Sequence, residues 1–363
     1  MILSRQHRHG ATLGWCVALA LCLLAIITAA GCGNQSQHAI HVVGNRLADK
    51  HGKPIRLLGV NRSGAEYACV QGWGIFDGPT DERDIAAMAA WRINAVRIPL
   101  NEQCWLGING AAARYSGDAY RAAIRAYVTR LHDAGLYVVL DLHWNAPGRA
   151  RATGQQPMAD LAHAPAFWSS VATTFRADPA IIFDLYNEPQ NISWQCWRDG
   201  CLLPQGWRTA GMQVLVNAVR STGARQPIIA TGVGSGNDLT SWLRYRPNDP
   251  AHNLVAGFHA YNFTRCITSG CWKKELEPVA RSVPLIATEL GQGGCSHGFI
   301  DRFMSWADSV GASYLGWTWN PAGCRAPALI SSWAGRPTAF GEGLRAHLAG
   351  LGVRGAALLA RPG

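Results

Sequence analysis

The sequence predicts an α/β chain folded as a single-domain (β/α)8 TIM barrel, and three observations carry that reading. Eight short apolar runs recur along the chain, helix-like stretches separate them, and each run is apolar throughout instead of alternating. Strands alternating with helices indicate a parallel sheet, and strands covered on both faces have no polar side to show. Eight such repeats over about 300 residues fit a closed barrel with some long loops.

The elements follow in order. "HVVGNRLADKHGKPIRLLGV" (41–60) reads as a hairpin leading into a strand. The eight runs are 54–60, 94–100, 136–143, 181–187, 227–233, 254–260, 284–290 and 313–319. Asp81–Trp91 and Asp118–Ala134 are the clearest helices, with Asp at each start and Gly135 just past the end of the second. Further helices are expected near 164–177, 204–222, 272–281, 297–310 and 339–349, and the weakest helical signal follows the fifth run. An open doubly wound sheet is the alternative. It would favour a Gly-rich phosphate loop after the first strand, and "GVNRSGAEYAC" is not one.

Residues 1–32 have a different composition. Arg5 and Arg8 precede an apolar stretch from Ala11 to Ala30, which exits through Ala29-Ala30-Gly31-Cys32. A charged start, an apolar middle and a small-residue exit describe an export signal. A retained membrane span is the other reading its length permits. The exit resembles a bacterial lipoprotein signal, in which Cys32 would be lipidated, although Ala29 stands where such signals usually carry Leu. Ordinary cleavage after Ala30 is the rival. The expected organisation is a leader over 1–32, a barrel domain with its N-terminal hairpin over 33–345, and a basic tail over 346–363, read as a helix end plus loose chain. The product would be secreted or anchored at the cell envelope, touching membrane only through Cys32.

Eight cysteines lie beyond the leader: Cys69, Cys104, Cys196, Cys201, Cys266, Cys271, Cys295 and Cys324. An even number in an exported chain suggests disulfides. The C-x4-C spacings lack a matching His set, so no structural metal is expected. The formal charge of +10 falls to about +8 without Arg5 and Arg8. Lys and Arg are dispersed, with no run longer than Lys273-Lys274, which reads as a basic solvated surface and not a nucleic-acid site.

In a barrel, active residues sit at the C-terminal ends of strands. The run ends carry Asn61, Arg97, His143, Asn187-Glu188, Gly232, His259 with Tyr261, Glu289, and Trp317 with Trp319. Alone, each has an ordinary explanation: a strand-end Glu solvates a loop, and a strand-end His is commonly structural. Together they set two carboxylates, an Arg, two His, a Tyr and Trp around one mouth. Paired carboxylates are the equipment of glycoside cleavage, one giving a proton to the leaving oxygen and the other, ionised, attacking the anomeric carbon. Their environments must therefore differ, with Arg97 keeping one charged and the other favoured neutral. A Trp face packs on a sugar ring. Trp73, Trp105, Trp144, Trp194, Trp197 and Trp272 also follow strand ends, where a sugar chain would lie.

Across roughly 40–345 the sequence resembles the family 5 glycoside hydrolases, a cellulase-type family of the large retaining clan. The motifs matching in order are "NAVRIPL", "VVLDLHWN", "DLYNEPQ", "GFHAYN", "ATELG" and "GWTWN". The resemblance implies Glu188 as general acid/base and Glu289 as nucleophile. It implies Asn187 on the sugar 2-hydroxyl, Arg97 orienting Glu289, and Tyr261 against the nucleophile carboxylate. His143 and His259 would line the site, and Trp317 would be the platform under the attacked sugar, with Trp319 as the alternative. Retention through a covalent glycosyl-enzyme follows, with carboxyls roughly 5 Å apart. No metal or organic cofactor is implied, and the partner is a β-linked glycan taken up by a monomer. Pro189, with its fixed φ, is expected to hold Glu188 in extended geometry and turn the chain away.

On the barrel, loops of adjacent strands are neighbours, so Cys69–Cys104 and Cys295–Cys324 are plausible bridges, and Cys196–Cys201 and Cys266–Cys271 would each close their own loop. Eight cysteines allow 105 pairings, so this arrangement rests on the barrel. The expected activity is an endo-β-1,4-glucanase. The early loop "GVNRSGAEYACVQGWGIFDG" is unlike that of well-known cellulases, which leaves mannan, other β-glucans and furanoside-containing polymers open. Transglycosylation and a non-catalytic glycan-binding barrel are the other readings.

Overall fold

The computed structural model describes residues 39–359, with side chains through 351. The leader, with Cys32, lies outside the described residues, as does 360–363. Among the described residues, no helix is long and apolar enough to cross a membrane.

The chain opens with the expected hairpin. Strands β1 (Ile40–Val43) and β2 (Arg46–Asp49) pair antiparallel, and β3 (Pro54–Ile55) adds to β2. Val43 pairs with Arg46, so the turn has two residues, and Gly44 takes its first position at φ +59°.

The barrel strands are β4 (Leu58–Asn61), β5 (Ala95–Asn101), β6 (Tyr137–Trp144), β7 (Ile181–Asp184), β8 (Ile228–Thr231), β9 (Leu254–Tyr261), β10 (Leu285–Gly291) and β11 (Ser313–Gly316). All neighbours are parallel, and β11 pairs back to β4, closing the sheet. Each predicted run supplies one strand. The first run divides, however: Pro54–Ile55 stays with the hairpin and only Leu58–Asn61 enters the barrel. A short hairpin, β12 (Ile330–Ser332) with β13 (Arg336–Pro337), follows β11.

Helices Glu82–Ala89, Asp118–Asp133, Ala164–Phe175, Gly211–Arg220, Gly298–Val310 and Ala339–Leu359 pack outside. The first is capped by Asp81, whose carboxylate accepts from the backbone N–H of Arg83 and Asp84. Two expectations are corrected. The helix placed at 204–222 starts at Gly211, because the chain before it forms bridges Leu202–Arg208 and Asp160–Thr209. The last helix runs to Leu359 instead of fraying after 349, so the described part of the basic tail is helical. The weak fifth connection holds only a short helix, Trp242–Tyr245.

The strands were expected to be apolar on both faces, and inside the barrel this holds only at the bottom. Ala95, Tyr137, Val139, Ile182, Ile229, Val255, Ile286 and Leu315 form a buried floor, closed below by Ile40, Leu47 and Leu57. Side chains two apart share a strand face. One step up, the same inward faces therefore present Arg97, Asp141, Asp184 and Thr231, all fully buried, and a further step brings His143 and His259 to the mouth. This polar layer above an apolar floor is what positions the site.

Candidate active site

Arg97 stands at the centre of the polar layer with no exposed surface. Its Nε donates to Asp184 at 2.9 Å, and Nη1 donates to Glu289 at 2.9 Å and Asn61 at 3.0 Å. Nη2 donates to Asn187 at 3.0 Å and lies 3.0 Å from the Asp141 carboxylate. A buried guanidinium costs several kcal/mol unless each donor finds an oxygen, and here five oxygens surround it. Burial alone would lower its pKa, but Asp141, Asp184 and Glu289 outweigh burial and raise it. The two aspartates respond in turn. Burial pushes Asp141 and Asp184 each up to about 7, against the pull of Arg97.

Glu289 is buried at the end of β10. The pairing register slips between Ala287 and Glu289, a bulge of the kind that re-aims side chains beside active sites. Beyond the slip, Glu289 pairs with His259. One carboxylate oxygen receives Arg97, and the other receives the Tyr261 hydroxyl at 2.6 Å. Both oxygens are thereby fixed.

Glu188 is the more open carboxylate. Its side chain keeps 28% of its surface, against 5% for Glu289. His259 Nδ1 lies 3.2 Å from Glu188 and 3.5 Å from Glu289, and one oxygen of each carboxylate lies within 4.8 Å of the other. That closeness falls on the retaining side, well short of the roughly 6.5–9.5 Å that would admit an attacking water between the carboxyls.

Two expectations about Glu188 are overturned. It is not extended: its φ is +49°, in the left-handed region. Pro189 disfavours the right-handed helical region for the residue before it, and the chain turns through the left-handed one at a cost of about 1–2 kcal/mol. Nor is its neutral form favoured at rest. Burial pushes Glu188 up, but the His259 hydrogen bond and the charges of His259 and Arg97 together hold it below the usual carboxylate range. His259 moves the opposite way. Burial pulls it down, yet Glu289 and then Glu188 raise it above its ordinary value. The two opposed shifts favour charge separation across the His259–Glu188 hydrogen bond.

His143 donates from Nδ1 to Asp141 at 2.6 Å, an assignment made from the hydrogen-bond network, which leaves Nε2 as an acceptor facing Asn187 at 3.4 Å. Burial pulls its pKa down to about 3, so it stays neutral. Trp317 is half-buried at the end of β11 and lies parallel to the His143 ring, 5.5 Å between centroids and 7° between planes. One indole face can therefore meet a sugar.

Trp319, the alternative platform, is fully buried. Its N–H donates to Asp84 at 2.9 Å and its ring packs edge-on against Trp91, so it offers substrate no face. Three of the six loop tryptophans are likewise interior. Trp105, Trp197 and Trp272 are buried with their N–H groups bonded to Ser170, Thr231 and Cys266. Trp144 and Trp194 are half-buried, and Trp73 is 66% exposed against the edge of Tyr67.

Sequence reasoning gave no role to Asp141, Asp184 or Gln155. The first two carried a signal, since each is a lone Asp inside an otherwise apolar barrel strand. Gln155 lies on a loop and carried none. The four disulfides are Cys69–Cys104, Cys196–Cys201, Cys266–Cys271 and Cys295–Cys324, matching the pairing argued from loop adjacency. Elsewhere Glu102, Asp160 and His163 cluster at cation-binding spacing. Burial, then the adjacent Asp160, pushes Glu102 well above its ordinary value.

The model of the cellulase family, glycosyl hydrolase family 5, matches residues 48–323. An endoglucanase of Thermobifida fusca is 23% identical over 77% of this chain and 55% of its own length. An endoglucanase of Streptomyces lividans is 24% identical over 78% and 56%. A mannan endo-1,4-β-mannosidase of the same organism is 22% identical over 81% and 69%. The chain thus spans little more than half the length of the two endoglucanases. Among solved structures, a β-glucanase of Saccharophagus degradans superposes with a TM-score of 0.69 at 18% identity, covering 87% of this chain and 94% of that one. The catalytic domain of the major endoglucanase of Xanthomonas campestris gives 0.66 at 19% identity, covering 85% and all of that domain. With the family model covering most of the chain and the barrel carrying the paired carboxylates, the chain belongs to glycosyl hydrolase family 5.

Proposed function

We propose that the protein is an exported, monomeric endo-β-1,4-glucanase that retains anomeric configuration. The observation that carries the reading is the Glu188–Glu289 pair, within 4.8 Å, with both oxygens of Glu289 held by Arg97 and Tyr261. Glu289 attacks the anomeric carbon as its C–O bond to the leaving sugar breaks, and Glu188 gives that oxygen a proton. Glu188 then takes a proton from water, which displaces Glu289 from the glycosyl ester. A glycan filling the mouth excludes water from Glu188. Exclusion adds to the burial that already pushes its pKa up, and the proton passes from His259 to Glu188. Trp317 carries the attacked sugar on its free face, Asn187 binds the 2-hydroxyl, and neutral His143 lines the site.

The activities named for the relatives support a β-1,4-linked glucan, with mannan as the second reading on the Streptomyces lividans mannosidase. Four disulfides support export, with either lipidation at Cys32 or ordinary cleavage after Ala30. The test is to incubate the purified protein with β-linked gluco-, manno- and xylo-oligosaccharides and follow the anomeric proton by NMR, beside Glu188→Gln and Glu289→Gln. The expected result is a β-configured first product from cello-oligosaccharides and loss of activity in both variants. An α-configured first product would overturn the mechanism. Sugar binding without cleavage would favour a glycan-binding barrel.

A further inference from the structure

Gln155 lies on the loop after β6, outside the strand-end set, yet it touches the most constrained stretch of the site. Its Nε2 donates to the backbone carbonyl of Asn187 at 2.6 Å, and its Oε1 accepts from Asn187 Nδ2 at 2.9 Å. The two amides close a ring of hydrogen bonds. Neighbouring residues extend the contact on both sides. The Tyr186 hydroxyl donates to the Gln156 carbonyl at 2.8 Å, and Gln190 N–H donates to the Pro157 carbonyl at 2.9 Å. Segment 155–157 therefore lies along 186–190 and splints the turn in which Glu188 takes its positive φ.

The ring also decides which way the Asn187 amide faces. Arg97 has only donors, so it fixes Asn187 Oδ1. Gln155 Oε1 then takes one of the two Nδ2 hydrogens. The remaining hydrogen faces His143 Nε2 at 3.4 Å, a long bond that a better acceptor can replace.

We propose that Gln155 is a positioning residue: through its paired hydrogen bonds to Asn187 it aims one amide N–H at the sugar 2-hydroxyl and holds the turn that presents Glu188. The inference rests on the reading of Asn187 under the proposed function. Contacts to the 2-hydroxyl strengthen as the anomeric carbon gains positive charge, so loss of aim costs rate more than binding.

The test uses Gln155→Met, close in volume but without the amide, and Gln155→Glu. Substrates are an aryl β-cellobioside and its analogue lacking the 2-hydroxyl on the cleaved sugar. For Gln155→Met, kcat on the full substrate should fall about 10- to 100-fold, the effect of losing a hydrogen bond or two, with KM changed less than about 3-fold. On the 2-deoxy analogue the loss should shrink to a few-fold. In Asn187→Ala the same substitution should add almost nothing, since the two act as one unit. Gln155→Glu keeps an acceptor for Nδ2, but its ionised form turns a second acceptor on the Asn187 carbonyl. Protonated, it restores the donor, so its activity relative to wild type should recover as pH falls.

A readout independent of turnover is the Asn187 side-chain amide signal in protein labelled with 15N-asparagine, identified by its loss in Asn187→Ala. It should be protected from exchange in the wild type and lose protection in Gln155→Met. An equal loss on both substrates, full additivity with Asn187→Ala, or unchanged protection would overturn the proposal. If the wild type cleaves no glycoside, the functional reading fails, and amide protection still decides whether Gln155 aims Asn187.

Discussion

Replacing Arg97 by Lys keeps the positive charge and removes the fork. Five oxygens lie within 3.0 Å of the guanidinium: Asp184, Asn61, Glu289, Asn187 and Asp141. An ammonium has three N–H donors on a different stem, so at least two buried acceptors lose their partner. At about 1–3 kcal/mol for each orphaned group, Arg97→Lys should destabilise the fold by about 2–6 kcal/mol. The cost should depend on pH with a definite sign. Asp141 and Asp184, already pushed up to about 7, rise further without the guanidinium. A carboxyl whose folded pKa is raised stabilises the fold at pH below its unfolded value, and that contribution is lost as pH climbs through the folded value. The deficit should therefore be smaller at pH 5 than at pH 8. Equilibrium urea unfolding of both proteins at the two pH values, with disulfides intact, measures it. A deficit below about 1 kcal/mol at both, together with wild-type turnover, would refute the view that this fork holds the polar layer together.

Further expectations concern single parts of the site. Tyr261→Phe removes the 2.6 Å bond to Glu289, and kcat should drop about 10- to 100-fold with little change in KM, as steady-state kinetics will show. The alkaline limb of kcat/KM reports loss of the proton shared by His259 and Glu188. Because His259 is raised above 6.5, that limb should lie above pH 6.5, and a limb well below it would contradict the assignment. The bridges should differ with loop length. Closing 35 residues at Cys69–Cys104 should contribute about 4 kcal/mol and closing 5 at Cys196–Cys201 about 2 kcal/mol, so the corresponding double Ala variants should rank in that order in urea.

Much of the barrel was legible because burial on both faces forces near-continuous apolar runs, and each run became a strand. Strand-end residues were legible for a related reason: a polar side chain ending such a run has the mouth to point into. What stayed hidden depends on long-range packing. Nothing local separates Trp317, which stacks on His143, from Trp319, which turns inward to bond Asp84. Glu188 was expected to be extended because the pre-proline rule excludes one helical hand without choosing between what remains. Its resting protonation was misjudged because His259 comes from a strand 71 residues away in sequence. Asp141 and Asp184 could have been found by asking why an acid interrupts a buried strand. Gln155 could not, since its loop is placed against 186–190 only by the finished fold.

The most direct test of the central claim is to trap the intermediate. An activated 2-deoxy-2-fluoro-β-cellobioside slows both steps, the second more than the first when the leaving group is good, so the glycosyl-enzyme accumulates. Mass spectrometry of the digested protein should find one added cellobiosyl unit on the peptide containing Glu289, and none after Glu289→Gln. Label on Glu188, or turnover with inversion and no label at all, would contradict a double displacement through Glu289.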